Sequence, residues 1–411
     1  MNTAGLSLSD APPFEKIYPF FIAASVYGFL SFAALSFANE PNRFDPYIIG
    51  GIHLFTIGFL LNAIFGSLVQ MLPVVGGIKI DSPKIIKLTF ISINIGALMF
   101  FAGLAGFKAA MFPALLALSV GVISFFSMLL LSLFTQKQIA SETVKGMRLS
   151  LIIGFTALLL GIHLLSSHAI GRIGESHLKF VNLHIMFAVF GFIGILIVSV
   201  SKQVLPMFYV APEFPKFCNF WPLVIFGAVL CAAIPLNEAA IASKIAIWIA
   251  LSAFATVALK KLKERRRLLS DASLKMWQTG LVSLIVAISI WGYSAVWEVQ
   301  NLEYLLAVLF GYGFIASIVK AMINKIVPFL AWFHLTSRGK WDAPSVREMI
   351  TDKSANIELY LHWVAIFLFL SGYLSAIFMQ LGSAFAALSF AVLAKNVYTA
   401  TTIYKKNLPA S

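Results

Sequence analysis

The sequence predicts an all-α, polytopic membrane protein of about twelve transmembrane helices. Of its 411 residues, 60% are hydrophobic and only 11% are charged. A soluble domain carries about 25% charged residues, because its surface must face water. The mean hydropathy is +0.91, and apolar runs of about 20 residues, long enough to cross a bilayer, recur along the chain. The lipid bilayer is therefore the expected partner of much of the surface.

The apolar runs predict twelve spans within a single integral membrane domain over residues 1–411. Each run is bounded by polar, basic or proline-containing segments, which fix its ends to within a few residues. The expected spans are 16–38, 48–71, 85–107, 110–134, 147–166, 180–201, 217–236, 239–259, 275–297, 302–326, 357–379 and 381–402.

The positions of lysine and arginine predict how these spans are oriented. The net charge is +13, and the longest basic run, from Lys260 to Arg267, lies between two apolar spans. This placement indicates a topology signal at the lipid surface, so nucleic acid is not an expected partner. All heavily basic loops fall on one side if the N-terminus is inside. Both termini are therefore expected on the cytoplasmic side of a bacterial inner membrane.

The second, sixth and tenth spans share a sequence pattern. The second and sixth spans each contain a histidine near their outer end and a glutamine three residues before a proline near their inner end. The tenth span has lysine in place of that glutamine and no histidine nearby. The matching residues are His53, Gln70 and Pro73, then His184, Gln203 and Pro206, and finally Lys325 and Pro328. The pattern predicts three four-helix units, at 16–134, 147–259 and 275–402, although such a repeat can also preserve packing alone.

This arrangement resembles the catalytic subunit of heme-copper oxidases, in which three four-helix arcs enclose three pores. In that family, a histidine on the second helix ligates a low-spin heme and one on the sixth helix ligates copper. By this resemblance, His53 corresponds to the heme ligand and His184 to the copper ligand. The cofactors that the resemblance implies are a b-type heme, a copper ion or both.

The sequence also departs from that family in its ligand set. The family carries a His-x-His pair on the tenth helix, where this chain has Tyr304-Leu305-Leu306, and a His-His pair on the seventh, where residues 217–236 contain no histidine. Oxygen reduction by the family mechanism is therefore not expected. The chain is similar to a degenerate member of the family.

Five of the seven histidines are predicted at the outer face, which favours a heme or metal role, since imidazole is a common ligand of both. His163, near the end of the fifth span, is a further candidate copper ligand beside His184. The alternative is that these interfacial histidines are hydrogen-bonded by water and lipid headgroups. His334 and His362 lie toward the inner side and are expected to be structural.

Polar side chains inside the spans are a second group of candidates, because they are costly in a membrane. Gln70, Gln203 and Lys325 occupy one repeated position near the inner face, as a polar ring or as side chains that reach the interface. Lys320 is deeper. It is expected to face a wet cavity or to pair with a buried acid.

Three functions remain open from the sequence. The first is a heme- or copper-binding protein that acts in redox sensing, gas response or the assembly of a terminal oxidase, with a respiratory-chain or oxidase-assembly partner. The second is a multi-pass transporter, which the threefold repeat and the scarcity of acidic residues disfavour. The third is a cofactor-free membrane scaffold subunit. The sequence assigns no oligomeric state.

Overall fold

The computed structural model describes residues 10–40, 42–80, 82–136 and 141–408, and these residues form helices and loops without any strand. Both chain ends, residues 1–9 and 409–411, lie outside this description. Twelve main helices follow one another: α1 Phe14–Leu35, α2 Pro46–Gly76, α3 Pro83–Leu104, α4 Lys108–Thr135, α5 Glu142–Ile170, α6 His177–Tyr209, α7 Lys216–Cys231, α8 Asn237–Lys263, α9 Ala272–Tyr293, α10 Leu302–Ser337, α11 Asp352–Ser371 and α12 Ala376–Lys406.

The prediction of an all-α polytopic membrane protein is confirmed. Within the described residues, eleven helices are long and apolar enough to cross a membrane, and each overlaps a predicted span. The twelfth helix, α7, is apolar but too short to meet this criterion. At 1.5 Å per residue it is about 24 Å long, whereas the hydrocarbon core is about 30 Å thick. Seven helices are longer than their predicted spans, among them α2 with 31 residues, α6 with 33 and α10 with 36.

Local sequence signals account for many of the helix ends. Asp45 caps α2, because its carboxylate accepts the Tyr47 N–H at 2.8 Å, and Pro46 then occupies the first helical turn, where its missing N–H costs nothing. Ser141 caps α5 in the same way. Gly171 ends α5 with φ of 72°, a left-handed conformation that glycine adopts without strain.

Three of the even-numbered helices, α2, α6 and α10, each contain a π-helical segment. The segments are Leu54–Leu61 in α2, Phe187–Gly194 in α6 and Ala307–Ala316 in α10. Each ends twelve residues before a proline that lies inside the helix, which are Pro73, Pro206 and Pro328. The helix continues past each proline, so these prolines do not end their helices as their positions near the predicted span ends suggested.

A glycine also recurs inside the three π-helical segments, fifteen residues before each proline: Gly58, Gly191 and Gly313. Each one is packed against a side chain of the preceding odd-numbered helix. The neighbours are Tyr27 of α1, Ile153 of α5 and Ser283 of α9, and a Cβ on any of these glycines would collide with them. The repeat is therefore present in the structure as well as in the sequence, since a glycine allows close helix–helix packing at the same position in all three helices.

The contacts divide the chain into two compact units, which we describe separately. The first unit comprises mainly residues 71–268 and 284–302, and so contains α3 to α8. Its consecutive helices pack against one another. Phe126 of α4 contacts two rings from neighbouring helices. Its ring centroid lies 5.8 Å from that of Phe155 on α5 and 5.6 Å from that of Phe192 on α6.

The second unit comprises mainly residues 12–70, 269–283 and 303–408, and so contains α1, most of α2, the first half of α9, and α10 to α12. Here α12 packs on α1, α10 and α11. An aromatic cluster fills the centre: Phe32 of α1, Phe55 and Phe59 of α2, and Phe390 of α12 make ring contacts at 4.9 to 6.4 Å.

Candidate functional site

His53 ends the first part of α2, directly before the π-helical segment, and is half-buried. Its Nδ1 lies 2.7 Å from the carbonyl oxygen of Ile49, one turn earlier on the same helix. A carbonyl only accepts hydrogen bonds, so Nδ1 is the donor and the ring is held in one orientation. Any iron bound by this side chain would be ligated by Nε2, while Nδ1 keeps its hydrogen bond, as is usual for histidines that bind metals.

His184 is held differently, by a neighbouring helix. Its Nδ1 lies 2.8 Å from the carbonyl oxygen of Ala157 on α5. Gly161, one turn further along α5, leaves room for the ring, since a Cβ there would lie 2.9 Å from the Cε1 of His184. The ring therefore packs directly against the α5 backbone. A metal ion bound by His184 would again take Nε2.

The two histidines are not equivalent in the repeat. His53 directly precedes its π-helical segment, whereas His184 lies three residues before the corresponding segment in α6. A shift of two residues turns a side chain by about 200° around an α-helix. The histidines also belong to different compact units. They do not form two copies of one site.

His163 does not join His184 in a cluster of ligands. It is exposed on α5, and its ring contacts the edge of Phe180 with centroids 5.0 Å apart. It follows Gly161 by two residues, so it lies on another face of α5 than the glycine that contacts His184. Within the described residues, no group of three His, Cys, Asp or Glu side chains could hold a metal ion. This donor set does not fit a three-histidine copper centre.

The repeated polar position near the inner face has a different environment in each helix. Gln70 is buried and Gln203 is half-buried. Lys325 forms an ion pair with Asp271, with Nζ and Oδ2 2.5 Å apart, and Asp271 also caps α9 by accepting the Leu274 N–H at 2.9 Å. A ring formed by all three positions stays a prediction, because Gln203 belongs to the other compact unit.

Lys320 is paired with a buried acid, one of the two environments expected for it. Its Nζ lies 3.5 Å from Oε1 of Glu358 on α11, and both side chains are 0% exposed. It also donates a hydrogen bond of 2.5 Å to Ser389 Oγ on α12. Its ammonium group lies 4.8 Å from the ring centroid of Phe390. A complete ion pair therefore lies between α10, α11 and α12.

Two amides hold the other oxygen of the Glu358 carboxylate. Oε2 accepts a hydrogen bond from Asn324 Nδ2 at 2.9 Å and another from Asn396 Nδ2 at 3.2 Å. Ser354, half-buried in the first turn of α11, donates to Asn396 Oδ1 at 2.5 Å. Polar contacts thus continue from the buried carboxylate to the beginning of α11.

His362 extends this polar group by one further turn of α11. It is 0% exposed, its Nε2 lies 2.6 Å from Ser317 Oγ on α10, and its ring lies 4.5 Å from that of Tyr312, between centroids. The expectation that His362 is structural is not tested by this contact. Its position beside the ion pair nevertheless makes it part of the same buried polar region.

Glu358 is a site residue that the sequence pattern did not single out. It is the second residue of the predicted span 357–379, whereas α11 begins six residues before it, at Asp352. A signal was present, since Ser354, Glu358 and His362 are spaced by four residues and must share one helix face. The acid was overlooked because span ends were set by hydropathy.

Comparison with known proteins gives no relative from which a role could be transferred. No protein-family model matches the chain, and none of the curated proteins matches it at a significant level.

Proposed function

We propose that the protein binds a b-type heme through His53, on a scaffold similar to the catalytic subunit of heme-copper oxidases, without reducing oxygen by that family's mechanism. The observation that supports this is the threefold recurrence of a π-helical segment, a glycine and a proline in α2, α6 and α10. These are the helices that carry cofactor ligands in that family. π-helical segments also occur frequently at functional sites.

His53 suits the axial position because its ring is oriented and it lies in a long apolar helix. The Ile49 carbonyl fixes the ring and increases the electron density at Nε2, which strengthens a bond to iron. A bound heme would supply gas binding or one-electron transfer.

Copper is not part of the proposal. The surroundings of His184 provide one anchored imidazole, and His163 points to a different side of α5. A copper ion facing a heme would need further imidazole ligands, which the described residues do not bring together. Without that centre, heme binding fits gas or redox sensing, or work with a respiratory-chain or oxidase-assembly partner.

The cellular location we propose is a bacterial inner membrane, with both termini in the cytoplasm. The support is the charge distribution, because the basic run from Lys260 to Arg267 and the basic residues between α10 and α11 lie in loops on one side of the twelve-span arrangement. Such loops are retained in the cytoplasm during insertion.

The test is an absorption spectrum of the detergent-purified protein from heme-replete cells, before and after dithionite. The wild type should show reduced b-type bands. His53→Ala should lose at least nine tenths of that heme, because the axial bond is removed, whereas His163→Ala, an exposed histidine on α5, should keep it.

Three outcomes separate the functions. Bands that survive in His53→Ala would contradict this residue as the ligand. Loss of the bands in His184→Ala, with His53→Ala unaffected, would move the heme to α6. A colourless wild type would contradict the proposal and leave the transporter and the cofactor-free scaffold as the candidate functions.

A further inference from the structure

Three helices of the second unit, α10, α11 and α12, carry polar residues on the faces by which they pack against one another. On α10, α11 and α12 these residues recur at intervals of three, four or seven, so each set follows one side of its helix. They are Ser317, Lys320 and Asn324 on α10, Ser354, Glu358 and His362 on α11, and Ser389 and Asn396 on α12. We call them the polar column.

The charged centre of the polar column is costly to bury. Lys320 and Glu358 are 0% exposed, in helices that are otherwise apolar enough to span a membrane. Moving such ions out of water is energetically unfavourable, and replacing a buried ion pair by hydrophobic residues of similar volume often leaves a protein as stable or more stable. Stability alone therefore does not explain the pair, and ionisable residues within membranes usually mark a functional site.

The two oxygens of the Glu358 carboxylate have different surroundings. Oε2 accepts the two amide hydrogen bonds from Asn324 and Asn396. Oε1 is buried and receives no hydrogen bond from any described residue. Its nearest charge is the Lys320 Nζ at 3.5 Å, which exceeds the usual N–H···O distance of about 2.7–3.2 Å. A proton added to Oε1 would therefore displace no existing hydrogen bond, whereas one added to Oε2 would.

Lys320 has other contacts that would remain if Glu358 became neutral. Its hydrogen bond to Ser389 Oγ is 2.5 Å long, and the face of Phe390 lies 4.8 Å from its Nζ. An ammonium group over an aromatic ring is attracted by the electrons of the ring face, and more strongly when both are removed from water. These contacts stabilise the lysine cation independently of the carboxylate.

The hydrogen bonds of the Glu358 carboxylate continue toward the beginning of α11, whereas the contact between His362 and Ser317, one turn further along α11, is not hydrogen-bonded to that carboxylate. From Glu358 they pass through Asn396 to Ser354, which is half-buried in the first turn of α11. On the opposite side, the ring of Phe390 separates Lys320 from Phe32 and Phe59. A proton that reaches Glu358 therefore arrives most easily from the side of the membrane where α11 begins.

We propose that Glu358 and Lys320 form a proton-binding site inside the membrane, reached through the polar column from the side where α11 begins. On proton uptake an O–H bond forms at Glu358 Oε1, and the proton comes from water near Ser354. Lys320 keeps its three N–H bonds and is then held by Ser389 and Phe390. On release the O–H bond breaks, and the ion pair forms again. This inference does not depend on heme binding.

The groups that face the site set its electrostatics. Lys320 and Glu358 are its charged groups, and His362 and Tyr312 are the other titratable side chains in contact with the polar column. The remaining contacts are Ser317 and Asn324 from α10, Ser354 from α11, Ser389, Phe390 and Asn396 from α12, and Phe32 from α1. A second positive charge on His362 would repel Lys320, so uptake is assigned to the carboxylate.

The test is infrared difference spectroscopy of the full-length protein in detergent, recorded between mildly alkaline and mildly acidic pH. Acidification should produce the carbonyl stretch of a protonated carboxylic acid, which shifts in D₂O and on ¹³C labelling of glutamate. Glu358→Gln should lose this band. Asp271→Asn, which breaks the more exposed ion pair with Lys325, should keep it.

Lys320→Met gives a second, independent result. Without the cation, Glu358 should stay protonated at both pH values, so its band should be present in the absolute spectrum at alkaline pH and absent from the difference spectrum. If Glu358→Gln does not fold, the double variant Lys320→Met/Glu358→Gln replaces it, because that variant buries no charge. A wild-type difference spectrum without a glutamate band, or with one that persists in the glutamine variants, would overturn the proposal and leave a fixed structural ion pair.

Discussion

At the scale of single residues, the second unit contains two buried opposite charges, Lys320 and Glu358, that compensate each other. Lys320 and Glu358 have no exposed surface, so each depends on the other and on the amide and hydroxyl groups around them. Removing one partner leaves an uncompensated buried charge, whereas removing both leaves an apolar site with hydrogen-bonding residues around it.

We predict that Lys320→Met destabilises the protein by about 3–5 kcal/mol, and that Lys320→Met/Glu358→Gln recovers most of this loss. Thermal unfolding in detergent measures the order of stability, with Lys325→Met as a control for a pair that is 17% and 18% exposed. If the double variant were less stable than Lys320→Met alone, the pair would not behave as mutually compensating charges.

The sequence identified one half of this pair and missed the other. Lys320 was recognisable because it lies deep within a long apolar run, where a cation needs a partner. Glu358 was not, because hydropathy placed it at a helix end, and only the packing of α11 against α10 and α12 shows that this turn is buried. Which side chain meets which across helices is a tertiary property that a linear pattern does not contain.

At the scale of elements, α2, α6 and α10 are variants of one helix. The three prolines, and the histidines of α2 and α6, were visible in the sequence, but the π-helical segments were not, since a changed backbone hydrogen-bond pattern has no residue signature of its own. The recurring glycines lie where each of these helices packs closely against the preceding odd-numbered helix. The continuation of each helix past its proline also could not be predicted, because neighbouring helices and side chains compensate for the missing N–H.

The π-helical segment of α10 offers a matched pair of glycine variants. A Cβ on Gly313 would lie 2.8 Å from Ser283 Cβ, whereas a Cβ on Gly311 would meet nothing within 4 Å. We predict that Gly313→Ala costs about 1–3 kcal/mol through overpacking, and that Gly311→Ala is neutral or slightly stabilising. Equal stabilities of the two variants in detergent would contradict the close packing of α10 on α9.

At the scale of the whole molecule, the predicted arrangement of twelve spans determines which loops are expected on the same side of the membrane. In that arrangement α6, α7 and α8 separate the loop after α5 from the loop after α8, so the two loops are expected on opposite sides provided that the short helix α7 also crosses. The composition alone was sufficient to predict a multi-pass membrane protein, since eleven helices of the described residues are long and apolar enough to cross a membrane. It was not sufficient to predict the two compact units, which depend on contacts between distant parts of the chain.

Cysteine labelling in intact cells tests this topology. In a background with Cys218 and Cys231 replaced by alanine, we predict that Ser270→Cys, exposed between α8 and α9, resists an impermeant maleimide until the cells are opened. Gly174→Cys, exposed between α5 and α6, should react from outside. Reaction of both from outside would contradict the odd number of spans between them.

The central claim is that the chain holds heme, and its heme content measures this most directly. We predict about one b-type heme per chain in the pyridine hemochromogen assay of protein purified from heme-replete cells, since His53 is the single axial ligand assigned. His53→Ala should reduce this content at least tenfold while the protein still folds. A wild-type content close to zero, in protein that unfolds cooperatively on heating, would contradict the claim.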